Sequence, residues 1–430
     1  MSVTLLAIKF NHDPTSARND AFNIRQDVDD FVTVPEWRRG FSVRPRDSVA
    51  AYAIEETRGR TITIQAQFGS TDAFPSVVEI RAMHPRAAAL QPEDVLRALG
   101  SPRAWPSFAQ YMWYANLLWR RWSSPDDNVL GNVSARQVNL RPGRATDFVT
   151  FNLESHHLWR LGVGAHDVTW RWQFRRSSAE PWQDFAESTH RIFTTLRLPT
   201  APWLQQPYEP GNTQLPWTDV LDYACRWARG AQTQAAAATG VTNAVYNLGP
   251  TVVQYNCPGQ GAPNYILITP FDAFKCTAFI GLLRGEPFRP PWVNCADCAA
   301  VVTSFSNILG CDLTESGMFN EVGTYFATNP IRVIGSFIWQ LPCGTWPGFA
   351  YHEVAWTGDV TEEDNVFDAC LLVNGSANPT RAPFVPLLPA NLRYGRPGQG
   401  LYRDRLIAPA FRATTVPVLL APALQRRIVI

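Results

Sequence analysis

Lysine is almost absent from this chain: of its 38 basic residues only Lys9 and Lys275 are not arginine. The bias reads as the mark of a GC-rich coding sequence rather than of a mechanism. Excess charge is missing too. A formal net charge of +1 gives no general attraction for nucleic acid or an anionic membrane, and neither partner is expected. No run of about 18–20 apolar residues occurs, so no membrane-spanning helix is expected. The opening MSVTLLAIKFNHD has neither a basic leader nor a small-residue cleavage site, and reads as a first strand instead of a signal peptide. Residence in the cytoplasm, or export without a cleavable signal, is the expectation. The first half lacks cysteine altogether. All eight, Cys225, Cys257, Cys276, Cys295, Cys298, Cys311, Cys343 and Cys370, lie in the second. In a large chain without a leader, reduced thiols acting mostly as small buried hydrophobes are expected.

What is present is an ordinary globular composition, 46% hydrophobic and 17% charged, over 430 residues, long enough for two domains. Up to about residue 198 the chain reads as β. Thr61–Phe68 and Asp167–Phe174 alternate apolar with polar residues at period 2, with similar runs near Val77–Arg81, Asp147–Leu153 and Thr189–Leu196. A stretch near Pro92–Trp122 breaks the pattern as a helical or irregular insertion. The expected first domain, 1–198, is therefore an antiparallel β-sandwich with an insertion. A proline-rich connector, 199–217, follows. After it Thr218 is placed to cap a helix, with apolar positions 220, 221, 224, 227 and 228 on one face. An alanine-rich continuation reaches Ala238 and stops at Gly240. Residues 218–430 form the expected second domain, its tail from Arg381 wrapping the core as extended chain.

In that second domain Asn294-Cys295-Ala296-Asp297-Cys298-Ala299 precedes Val301, Val302, Phe305, Ile308 and Leu309 at helical spacing, with Gly310 as the stop. Cys295 thus falls in the first turn of a buried helix, where free N–H groups and the helix dipole stabilise a thiolate. Of seven histidines only His352 lies beyond the connector, in the strand-like Phe349–Trp356. It is the one imidazole in the same domain able to serve a thiol nucleophile. An acidic turn from Asp359 to Asp364 leads into a second apolar strand, Val366–Val373, which holds Asp368. A carboxylate in so apolar a run needs a partner, and Asp368 suits the group that fixes a histidine tautomer. Asp359 and Asp364 are the other acids within reach.

The run Cys295-Ala-Asp-Cys-Ala299, the apolar helix closing at Leu309-Gly310, and a downstream His then Asp on successive strands resemble the transglutaminase-like superfamily. The resemblance implies an α+β, papain-like core over about residues 218–375, with Cys295 as nucleophile, His352 as base and Asp368 as orienter. It also implies an acyl-transfer reaction on a peptide or carboxamide carbonyl of a protein or peptide substrate, hydrolysis being favoured over cross-linking. No cofactor and no metal are implied. Glu353 stands where the family often has Trp, Asp368-Ala369 where it has Asp-Pro, and Asn307 where an arginine is common. These departures mark a divergent branch. With two lysines the chain offers few amines for cross-linking itself.

Other readings remain open at this level. Cys295 and Cys298 make a CxxC, which serves redox chemistry or half a zinc site, although there is no second CxxC. A core that has lost activity and acts in binding or assembly is the main alternative, and a toxin with the β domain as carrier is compatible with the enzyme reading. The Cys295 N–H is the expected oxyanion donor, with Asn294 and Trp292 as candidates for a second. His156-His157 lacks metal-ligand spacing, and Pro258–Gly261 reads as a turn.

Overall fold

Alternation at period 2 decides the first half. Its strands are β1 (Val3–Lys9), β2 (Trp37–Arg38), β3 (Val49–Ala53), β4 (Thr63–Ser70), β5 (Ser76–Met83), β6 (Asn132–Leu140), β7 (Val149–Glu154), β8 (Gly164–Arg175) and β9 (Gln183–Thr195). The computed structural model describes residues 3–13, 19–71, 76–85, 129–203, 214–267, 272–373 and 392–430. The insertion expected at Pro92–Trp122 lies outside them, as do 204–213 of the connector and 374–391 of the tail. The nine strands hydrogen-bond in the order β2-β1-β4-β7-β6-β5-β8-β9-β3. Neighbours run antiparallel with one departure: β3 lies parallel to β9, Val49 opposite Arg191. Alternation reports which face is buried, not which strand is the partner.

Between β6 and β7 the ladder holds only at Asn132 with Glu154 and Val133 with Leu153, which divides the sheet into two halves. Ile64, Phe68 and Phe151 of one half share a core with Ile80, Trp170 and Trp172 of the other. The rings of Phe68 and Phe151 meet Trp172 edge-on at 5.7 and 6.0 Å. Each such side chain, fully buried, contributes on the order of 1.5–3 kcal/mol.

The second half makes the protein α+β. Helix α1 (Thr218–Trp227) buries Val220, Leu221, Ala224 and Cys225, the face its spacing specifies. Trp217 is its N-cap, and the Thr218 hydroxyl donates to Gln26 O instead of capping. The expected single helix to Gly240 is two. A turn at Gly230, with φ of +80°, ends the first, and α2 (Gln234–Tyr246) begins under a Thr233 cap. Gly240 lies inside α2, where a Cβ would meet Trp227 O at 2.8 Å, so glycine there permits close helix packing and is no stop.

Helix α3 (Cys295–Asn307) is buried at every residue. It packs across a five-stranded antiparallel sheet. The sheet comprises β12 (Thr314–Asn320), β13 (His352–Trp356), β14 (Asn365–Phe367), β15 (Leu392–Arg393) and β16 (Thr415–Val418), in the order β15-β14-β13-β12-β16. A smaller parallel pair, β10 (Gln254–Tyr255) and β11 (Trp292–Val293), leads into α3. The tail therefore does more than wrap the core: it supplies two strands of this sheet. Arg427 is buried between Glu315 and Glu353, on the face of β13 opposite His352. Burial, against the pull of Arg427, raises the Glu315 pKa to about 8.

The two halves share packing. Phe22, Ile24 and Phe193 join the core of α1 and α3. Arg191 pairs with Asp222 at 2.7 Å, and Leu196 N–H bonds Leu309 O at 3.1 Å. Gly310, at φ +84°, ends the α3 region where a Cβ would fall 2.6 Å from Arg197 Cβ. Gly310→Ala is expected to cost about 1–3 kcal/mol from the left-handed backbone alone, more with the clash, and denaturant titration checks it.

Candidate active site

The start of α3 is built from its own sequence. Asn294 is the N-cap: its Oδ1 accepts from Asp297 N–H at 2.9 Å, and Asp297 answers by accepting from Asn294 N–H at 3.1 Å. Asp297, wholly buried, also accepts from Asn264 and Tyr265 N–H at 2.9 and 2.7 Å, which ties the preceding loop to the helix. Burial raises its pKa to about 6 against the pull of these three N–H groups and of the Ile266 N–H. Cys295 is the next residue, the first of the helix, where its N–H has no intrahelical acceptor. The Asn294 amide donates one of its two N–H groups to Gly261 O at 2.8 Å, which ties the helix start to that loop.

His352, first residue of β13 and fully buried, donates its Nε2–H to Asp368 Oδ2 at 3.0 Å. Phe349 stacks on its ring at 5.4 Å. Nδ1 has no hydrogen-bond partner among the described residues, while Cys295 acts on the ring closely enough to raise its pKa. The thiol thus acts on the imidazole without closing a hydrogen bond of normal geometry to Nδ1, a looseness common where no substrate is bound. Burial alone would push the imidazole pKa down; Asp368 and then Cys295 outweigh it and lift it to about 10. Asp368 is not inside a strand, as its apolar setting suggests. It sits in a turn between β14 and Leu371–Val373, its Oδ1 accepting from Cys370 and Leu371 N–H at 2.8 and 3.1 Å. Its Oδ2 takes a further bond, 2.6 Å, from the phenol of Tyr402 in the short helix α4 (Tyr402–Leu406). Asp359 and Asp364 lie outside this group, Asp364 bonding Thr361.

Cys295 opens on a cleft of about 390 Å³ whose walls include Tyr255, Gln260, Trp346, Phe349 and Tyr351. His352 and Asp368 are buried and do not line it. Cys298, one turn on, points into the core instead. Its hydrogen bond with Cys370 favours the thiolate, but burial and nearby carboxylates win and its pKa rises. A cleft of about 410 Å³ lies elsewhere, between the first half and α1, lined by charged groups such as Arg191 and Asp222 that pair with each other. Among the described residues no cluster of three or more His, Cys, Asp or Glu is placed to hold a metal ion. None of their helices is long and apolar enough to cross a membrane.

The expectation of reduced thiols needs correcting. Cys257 and Cys343 form a disulfide, with Cα atoms 5.5 Å apart and a separation of 86 positions in sequence. Only the fold brings them together. The bridge joins the loop carrying Gln260 to the loop carrying Trp346, the two sides of the cleft, and Tyr255 meets Trp346 edge-on at 6.2 Å beneath it. The other six cysteines are free and buried. Tyr402, the aromatic walls and the disulfide carried no motif in the sequence; the Asn294-x-x-Asp297 capping box did.

No protein-family profile matches the chain, and no curated protein sequence does. Among solved structures it has a distant likeness to red sea bream transglutaminase, at 11% identity and a TM-score of 0.33 over 73% of this chain. The chain spans about half the length of that protein, 48%.

Two outcomes follow. With an ordinary value of 6.5 and a folded value of about 10, His352 stabilises the fold fully below pH 6.5, and this contribution fades as pH climbs through about 10. The stability gap between the native protein and His352→Gln, followed by urea titration, should shrink over that window. Reduction of Cys257–Cys343 releases a long loop and should cost about 2–5 kcal/mol, read by denaturation with and without reductant.

Proposed function

We propose that the chain is a thiol-dependent acyl-transfer enzyme that hydrolyses a peptide or carboxamide bond in a protein or peptide substrate, through Cys295, His352 and Asp368. The observation that carries the reading is one juxtaposition. A cysteine at the first position of a buried helix lines an open cleft and acts on the imidazole of a buried His352–Asp368 pair. In this proposal His352 holds the thiol proton as an imidazolium stabilised by Asp368. Cys295 Sγ attacks the carbonyl carbon, and its own N–H steadies the oxyanion. The imidazolium protonates the departing amine, the C–N bond breaks, and a thioester remains. Neutral His352 then takes a proton from water, hydroxide adds to the thioester, and the acid leaves as Sγ–imidazolium is restored.

The domain reading goes with it: a β-sandwich-like domain at 1–198, a connector at 199–217 and a papain-like, transglutaminase-type core at 218–430. A formed disulfide supports export over residence in the cytoplasm.

Intact-mass labelling with limiting iodoacetamide from about pH 5 to 9 tests the proposal, since it reports thiolate fraction. One thiol should react fast below neutral pH, and Cys295→Ala and His352→Ala should each abolish that phase. Asp368→Asn should slow turnover of any substrate found by roughly 100-fold or more. The reading fails if no cysteine reacts ahead of the rest, or if Cys298 alone does.

A further inference from the structure

Asp368 carries one negative charge and receives four donors, two on each oxygen. The Cys370 and Leu371 N–H groups fix Oδ1, while Oδ2 is shared between His352 Nε2 at 3.0 Å and the Tyr402 phenol at 2.6 Å. The phenol bond is the shorter of the two. Tyr402 is buried, and burial followed by the Asp368 charge raises its pKa well above the ordinary range, so it stays a donor. Its helix is fastened from outside the site. Arg403 pairs with Glu362 at 2.6 Å, on the turn between β13 and β14. Asp404 accepts from Gly398 and Gly400 N–H, and the Asn329 amide donates to the carbonyls of Asp404, Arg405 and Ile407. A side chain braced in this way for one oxygen atom is not there for bulk alone.

We propose that Tyr402 is a positioning residue of the site: it orients the Asp368 carboxylate and withdraws part of its charge, so setting how strongly His352 holds its proton. The inference rests on the function proposed above for its catalytic meaning. Its physical content is independent of it. By this account the C-terminal segment is part of the site, contributing the group that keeps the imidazolium acidic enough to release a proton to a leaving amine. Other titratable groups that act on the His352–Asp368 pair are Cys295 and Cys298 from α3, Cys370 beyond the turn, and Tyr246 from α2. Among the described residues none of these hydrogen-bonds Oδ2, which leaves Tyr402 as its second donor.

The test is Tyr402→Phe, which keeps the ring and removes the hydroxyl. His352 titration would be followed by NMR of the imidazole nitrogens, and Cys295 labelling by iodoacetamide across pH. Losing the phenol puts the full Oδ2 charge on His352, so the imidazole pKa should move up by about one unit, with the upper limb of the labelling profile moving alongside. Incorporating 3-fluorotyrosine at 402 strengthens the donor and should move both downward, which gives a readout even if Tyr402→Phe folds poorly. An unchanged His352 titration in a folded Tyr402→Phe protein, or a shift of the same sign in both variants, overturns the inference. If native Cys295 shows no selective labelling, the enzyme reading falls, and the NMR shift alone still decides the role of Tyr402.

Discussion

A helix buried on every face must be met on every face, and α3 is such a helix. The five-stranded sheet covers one side of it and α2 another. From the connector, Trp203 donates its indole N–H to Ser304 O at 2.7 Å. At its end Asn307 bonds Ala201 O and both the N–H and C=O of Leu313, so one amide joins the connector, the helix and the approach to β12. The β-rich first half closes the last side through Leu196 and Leu309. Backbone groups at such helix ends have no water to fall back on, and each partner named here replaces a solvent bond that burial removed. The position of Cys295 follows: only the first turn, held by Asn294 and Asp297, is left to face a cleft.

Burial also shapes the electrostatics. His352 and Asp368 are almost without solvent, and a lone charge on either would be expensive. Placed together they offset one another, and the carboxylate is completed by two backbone N–H groups and a phenol. The same logic operates across the strand, where Glu315 and Glu353 share Arg427 and burial raises the Glu315 pKa against the pull of that guanidinium. One face of β13 thus carries a polar pair toward the cleft, the other a polar cluster toward the C-terminal segment. Alternation in a strand keeps the two sets apart.

The residues that make up the site differ in how far the sequence discloses them. Cys295 at a helix start, its capping box and the Gly310 stop are local patterns, because backbone hydrogen bonding at a helix end involves residues within a turn of one another. His352 stands out by being alone in its half. Asp368 stands out as a charge in an apolar run, although that run proves to be two short strands with the aspartate turning the chain between them. The aromatic cleft walls, the disulfide and Tyr402 come from segments far apart in sequence, and nothing local marks them.

Periodicity and end signals disclosed β1, β4, β5, β7, β8 and β9 of the first half, though not β2, β3 or β6, along with the amphipathic face of α1 and the extent of α3, since each depends on neighbours within a few residues. The break between α1 and α2 and the helical setting of Gly240 depended on packing of one helix against another. The parallel seat of β3 beside β9, the tail's entry into the second sheet, the Cys257–Cys343 bridge and the Tyr402–Asp368 bond were decided by tertiary structure alone. The physical reason is the same in each case: these contacts are chosen by what surface remains unburied after the local elements form, and that surface belongs to the whole chain.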